Sequence, residues 1–141
     1  MMFVRLLSIL VVVAALIGCQ SARGRRERPA PLVLEVAATV ETEPMKTGGD
    51  SADDTTLWLD PSDPSRSLII GTNKQRGLAV YDLSGREIQF LPDGRMNNVD
   101  HRDGFTLGDK KVSLVTASNR SNDSIAVYAI TAETRKLENV A

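Results

Sequence analysis

The feature that most constrains this chain is a pattern that occurs twice. Leu68-Ile69-Ile70-Gly71-Thr72-Asn73-Lys74 leads into Leu78-Ala79-Val80-Tyr81-Asp82-Leu83, and Val112-Ser113-Leu114-Val115-Thr116-Ala117-Ser118-Asn119-Arg120 leads into Ile125-Ala126-Val127-Tyr128-Ala129-Ile130. Asn73 and Asn119 are 46 positions apart, and Tyr81 and Tyr128 are 47 apart. An apolar β-type run, an asparagine followed by a base, and a second run ending in Ala-Val-Tyr thus recur together. A period of about 45 residues made of four short strands is the pattern of a β-propeller blade.

The flanking sequence agrees with an all-β reading. From Leu32 onward no stretch holds a helical period. Short runs of β-formers stand at 32–40, 56–59, 68–72, 78–83, 87–91, 112–117, 125–130 and 136–140, and each is expected to be a strand. Between them lie Asp60-Pro61-Ser62-Asp63-Pro64, Ser84-Gly85, Pro92-Asp93-Gly94 and Asp103-Gly104, all turn chemistry. The expected architecture is a partial β-propeller of about two four-stranded blades.

The N-terminus carries different information. Arg5 precedes an apolar run from Leu6 to Leu16 broken only by Ser8, the pattern of a secretory signal and too short for a membrane-spanning helix. It ends in Leu16-Ile17-Gly18-Cys19, which resembles the bacterial lipoprotein box, whose cysteine is acylated. Cys19 is the only cysteine and sits at the cut, which favours a lipoprotein over an ordinary signal with an incidental thiol. The expected organisation is a signal helix over 1–18, a flexible linker over 19–31 rich in arginine and proline, and a β domain over 32–141. That places the protein in the cell envelope, on the periplasmic side or the outer surface of a bacterium, tethered to the membrane through lipidated Cys19.

Charge and composition exclude several functions. Seventeen Lys+Arg face 18 Asp+Glu, a formal charge of -1, so no overall field attracts nucleic acid. One cysteine and one histidine exclude a disulfide framework, a cysteine zinc cluster and a multi-histidine metal site. His101-Arg102-Asp103 matches the start of a kinase catalytic loop, but no Gly-rich loop or Asp-Phe-Gly accompanies it, and His101 reads as a structural or surface residue.

The repeat itself has a chemical consequence. Equivalent positions of successive blades lie side by side at one rim, so Lys74 and Arg120, each preceded by an asparagine, should converge there as an anion site. Asp50, Asp53 and Asp54 are expected just before the first strand of the first unit, and Asn97, Asn98 and Asp100 around the first strand of the next. Grouped oxygen donors of this kind suit a hard cation such as Ca²⁺.

With those positions in hand, the chain resembles the β-propeller phytases. The resemblance runs from about Val40 to the C-terminus. It rests on Glu43-Pro44, Asp53-Asp54 followed by Leu57-Trp58, Asp63-Pro64-Ser65, Gly71-Thr72-Asn73-Lys74, Gly77-Leu78-Ala79-Val80-Tyr81-Asp82-Leu83-Ser84-Gly85, Asn97-Asn98-Val99-Asp100 and Ala117-Ser118-Asn119-Arg120-Ser121. It implies a six-bladed propeller with Ca²⁺ at one end and phytate (myo-inositol hexakisphosphate) as substrate. It further implies that Lys74 and Arg120 hold substrate phosphate, and that Asp54 and the backbone around Val99 help bind calcium, with Asn98 and Asp100 beside them. Hydrolysis by direct attack of water on phosphorus, with no phosphoenzyme, is implied likewise.

Two departures stand out: Thr55 replaces the family's proline and Gln75 its second base. Six blades need roughly 270 residues, so the expectation is an N-terminal fragment, incomplete and inactive by itself. A non-catalytic, lipid-anchored propeller that binds an anionic ligand is the alternative.

Overall fold

The computed structural model describes residues 31–141. The expected signal helix, Cys19 and all but the last residue of the expected linker lie outside the described residues. Ala37–Ala141 forms one compact unit. Its strands are β1 (Ala52–Trp58), β2 (Leu68–Asn73), β3 (Gly77–Tyr81), β4 (Glu87–Leu91), β5 (Met96–Leu107), β6 (Lys110–Asn119), β7 (Ser124–Thr131) and β8 (Lys136–Asn139), with one 3-10 turn at Pro64–Arg66. They form two antiparallel sheets, ordered β1-β2-β3-β4 and β5-β6-β7-β8. The described residues are all-β, built of two four-stranded meanders as in propeller blades.

The repeat in the sequence is a repeat in register. Asn73 pairs with Ala52 and Asn119 with Met96, and in both sheets the ladder then slips before resuming at Thr55↔Gly71 and Val99↔Ala117. The same bulge therefore sits at the start of both first strands. Period-2 alternation decides what each sheet buries. Leu68, Ile70, Leu78 and Val80 of the first sheet meet Val115, Ala117, Ala126, Tyr128 and Ile130 of the second, with Trp58, Met96, Val99 and Leu137 completing one shared core. Burying a full-sized apolar side chain is worth about 1.5–3 kcal/mol, and neither sheet could assemble this core alone.

Polar side chains stitch the same interface. Trp58 Nε1 donates to Ser113 Oγ at 3.0 Å, and Thr56 Oγ1 lies 2.8 Å from His101 Nδ1, giving His101 a structural role. At the outer edge Gln89 acts as an extra strand rung. Its Nε2 donates to Leu137 O at 2.9 Å, and its Oε1 accepts from Leu137 N at 2.8 Å.

Three expectations need correction. Residues 32–40 form no strand, and Leu32, Val33, Leu34, Val36 and Val40 are exposed. β-type residues alone do not make a strand, because the backbone groups need a ladder partner. Asp103-Gly104 is not a turn but lies inside β5, where the ladder slips between Arg102 and Phe105 and Gly104 takes φ +68°. Asp53 and Asp54 lie within β1 rather than before it, since the strand begins at Ala52.

Candidate functional site

The ends of β2 and β6 carry the two bases. Asn73 and Asn119 are buried, and each folds the turn that follows it. Asn73 Oδ1 accepts from the backbone N–H of Gln75 and Arg76, and Asn119 Oδ1 accepts from that of Ser121. Their amides anchor the other side, Asn73 Nδ2 to Thr47 Oγ1 and Asn119 Nδ2 to Asp93 O, both at 2.8 Å. These are Asx-type turns in which the side chain replaces a backbone partner. Lys74 N then donates to Ser51 O and Arg120 N to Arg95 O, again both at 2.8 Å. The asparagine is thus the local reason that a base emerges at the same place in both sheets.

What each base meets differs. Lys74 Nζ donates to Asp50 Oδ1 at 3.0 Å and Oδ2 at 3.1 Å, and lies 3.2 Å from Asp53 Oδ1. Hydrogen bonds to Asp50 and then Asp53 raise the Lys74 ammonium above the ordinary lysine value. Arg120 Nη1 donates instead to the neutral Asn97 Oδ1 at 2.8 Å. The offset that takes Ala52 to Met96 and Thr55 to Val99 takes Asp53 to Asn97, so the same rung holds both bases, as a carboxylate in one sheet and an amide in the other.

A short network joins these slots across the sheets. Thr72 Oγ1 accepts from Asp54 N at 2.9 Å and lies 3.1 Å from Asn97 O. Asp54 Oδ2 accepts from Val99 N at 3.0 Å, and its Oδ1 from Thr55 N at 2.9 Å. Lys74 and Arg120 therefore stand at the same end of the two sheets, on either side of the Asp54–Val99 contact. Asp54, Asn98, Val99 and Asp100 line one shallow recess with Thr116 and Ser118.

Those donors suit one side of a calcium site. Asp54 and Asp100 offer carboxylate oxygens and Asn98 an amide oxygen, whereas Val99 has given its N–H to Asp54 and has only its carbonyl left to offer. Asn98 Oδ1 already accepts from Asn97 Nδ2 at 2.9 Å and Asp100 Oδ1 from His101 N at 2.8 Å, which holds both side chains in place. Among the described residues no three His, Cys, Asp or Glu converge as a metal cluster. The set is partial and would need oxygens from elsewhere to reach the 6–8 that Ca²⁺ takes.

Asp50 and Asn97 escaped sequence reasoning as partners of the bases, and so did Thr72 as their link. The sequence groups Asp50 and Asp53 with the oxygen donors of a cation site, whereas both engage Lys74. The available signal was the strand offset, which makes Asp53 and Asn97 equivalent once Lys74 and Arg120 are.

The fold and this end of it define a class: a segment of β-propeller architecture presenting paired cationic slots beside oxygen donors. The model of the family described as Phytase matches residues 4–141. The chain is 42% identical over 109 residues to a 3-phytase of Bacillus subtilis (strain 168), covering 76% of this chain and 28% of that protein. The chain belongs to the phytase family, and it spans about 28% of the length of that curated relative.

Proposed function

We propose that this chain is part of a Ca²⁺-dependent phytase and that it contributes one side of the phytate site. The observation that carries this is the pair of equivalent bases, Lys74 and Arg120, at one end of adjacent sheets beside the Asp54 recess. Asp54, Asp100, Asn98 and the Val99 carbonyl would hold the cation. When bound, calcium supplies charge that offsets repulsion among neighbouring phosphates and lowers the pKa of water. Arg120 grips a phosphate with a planar fork, and Lys74 acts as a point charge that can follow several phosphate positions. Thr72 and Asn97 keep the slots in register. Gln75 sits where the family has a second base and donates to Gly48 O at 2.8 Å, so it supports a loop instead of a phosphate.

The partial donor set favours a second role for these 141 residues by themselves, anion binding without hydrolysis. Export and lipidation at Cys19 belong to the same proposal, with the protein held at the bacterial envelope. The test is calorimetric titration with phytate, with and without Ca²⁺, alongside phosphate release by this chain and by any longer product of its gene. Replacing both Lys74 and Arg120 by alanine should weaken phytate binding at least about tenfold, since a hydrogen bond to a charged group is worth roughly 1.5–3 kcal/mol. Unchanged binding in that variant removes the assignment. Release of phosphate only by the longer product separates the enzyme from the binding module.

A further inference from the structure

The two slots are built alike, yet only one of them is filled by its own protein. We infer that Asp50 is an internal counter-ion that masks Lys74, and that a phosphate must displace it to use the first slot, while Arg120 stands open. This inference rests on the phosphate-binding role proposed for both bases.

Four observations carry it. Asp50 is joined to Lys74 through both carboxylate oxygens, at 3.0 and 3.1 Å, which occupies the ammonium as a phosphate would. The Asp50 side chain is 82% exposed, against 30% for Asp53, so it can swing into water without disturbing packing. Its loop stays in place without it, because Ser51 O accepts from Lys74 N and Gly48 O from Gln75 Nε2. Finally, the offset that takes Ser51 to Arg95, the acceptors of the Lys74 and Arg120 amides, takes Asp50 to Gly94. Gly94 has φ +124°, and a Cβ there would lie 2.6 Å from Asn119 Oδ1, so the second slot has no room for such a side chain. Among the described residues Arg120 has no carboxylate within ion-pair distance.

Asp53 plays a different part. It is rooted in β1 at the position of Asn97, and each of these residues positions the base of its own slot. Charge at this rung matters. In the second sheet an amide steers the guanidinium without cancelling it, and Asn97→Asp should set a carboxylate against Arg120 as Asp53 stands against Lys74, lowering its pull on a phosphate.

The experiment is titration of the 141-residue chain with phytate at low ionic strength and with divalent cations chelated. Circular dichroism checks that every variant folds like the parent. Asp50→Asn should tighten binding by about two- to fivefold, the scale of an exposed ion pair. The gain should fade as salt rises. Asp123→Asn makes the same change in net charge at the turn after β6, and it should give a smaller gain. Asp50→Asn combined with Lys74→Met should lose the gain, and Asn97→Asp should weaken binding. Equal gains from Asp50→Asn and Asp123→Asn would overturn masking in favour of a net-charge effect. No gain from Asp50→Asn or Asp50→Ala, with Lys74→Met still weakening binding, would overturn masking and leave the phosphate site standing. Phytate binding indifferent to both Lys74 and Arg120 would overturn the site and the mask together.

Discussion

The two sheets share a register, a bulge and a pair of asparagine turns, and they part company at their faces. In the first sheet Leu68, Ile70, Leu78 and Val80 are fully buried against the second sheet. Its opposite face is also covered, by the strandless segment around Met45, which approaches Gly71, Asn73 and Tyr81. The repeat places Leu114, Thr116, Ile125 and Val127 of the second sheet at the positions of Leu68, Ile70, Leu78 and Val80. There Ile125 is 60% exposed and Thr116 is exposed as well. The difference shows that burial in this fold belongs to an interface between sheets. A single sheet carries the pattern but cannot satisfy it.

The largest expected effect tests that asymmetry directly. Ile70→Ala should cost about 2–5 kcal/mol, whereas Thr116→Ala at the matching position should stay within about 0.5 kcal/mol. Urea titration followed by far-UV circular dichroism measures both. Similar losses would mean that the outer face of the second sheet is as closely packed as the shared core.

The tyrosines sharpen the comparison at a middle scale. Tyr128 OH donates to Asp93 Oδ2 at 2.8 Å, while among the described residues Tyr81 OH meets only the Met45 sulfur, at 3.7 Å. Tyr128→Phe should therefore cost about 1.5–3 kcal/mol, the range for a hydrogen bond to a charged group, and Tyr81→Phe well under half of that. Burial raises both phenols above the ordinary tyrosine value, and Asp93 adds to the rise at Tyr128. A raised group contributes stability below its unfolded pKa, so alkaline unfolding should set in above about pH 10. Tyr128→Phe should flatten that limb more than Tyr81→Phe does.

The smallest effect lies at the opposite end of the sheets. Asp60 accepts from Ser62 Oγ and N and from Arg66 Nε, and these bonds, those to Ser62 first, hold its carboxyl down at about 2. Arg66 Nη2 reaches across to Ala132 O at 2.8 Å, so the acidic loop also ties the first sheet to the second. A depressed carboxyl contributes stability above its unfolded value of about 3.9, which is lost as pH falls toward 2. Asp60→Asn should be modestly less stable at neutral pH and should lose less between pH 4 and 2, as thermal melts across that window would record. An unchanged acid limb would mean that the loop titrates independently of the fold.

Much of the fold was legible because the repeat carries it. The paired asparagines and the runs ending in Tyr81 and Tyr128 fixed the number of sheets and the places of both bases. Other parts depended on partners that a linear pattern does not name. Residues 32–40 look like a strand, yet among the described residues none pairs with their backbone. β5 hides because it is polar along Asn97, Asn98, Asp100, His101, Arg102 and Asp103, and because its Asp103-Gly104 bulge resembles a turn. His101 meets Thr56 of β1, and Asn98 N and Asp103 meet Ser118 and Ser113 of β6, contacts that only the folded chain assembles. At the site, the two bases could be read from their spacing. Their opposite electrostatic surroundings could not, because Asp50 reaches Lys74 through the shape of the Gly48-Gly49 loop.

The glutamine on β4 has a mechanical consequence. Because Gln89 holds both the N–H and the C=O of Leu137, the two sheets are fastened between β4 and β8 as well as between β1 and β5. A pair of plates pinned at both margins cannot open like a book. In the proposed phosphate site the strand ends that carry Lys74 and Arg120 would then keep one separation, and any adjustment to a multiply charged guest would fall to the side chains alone.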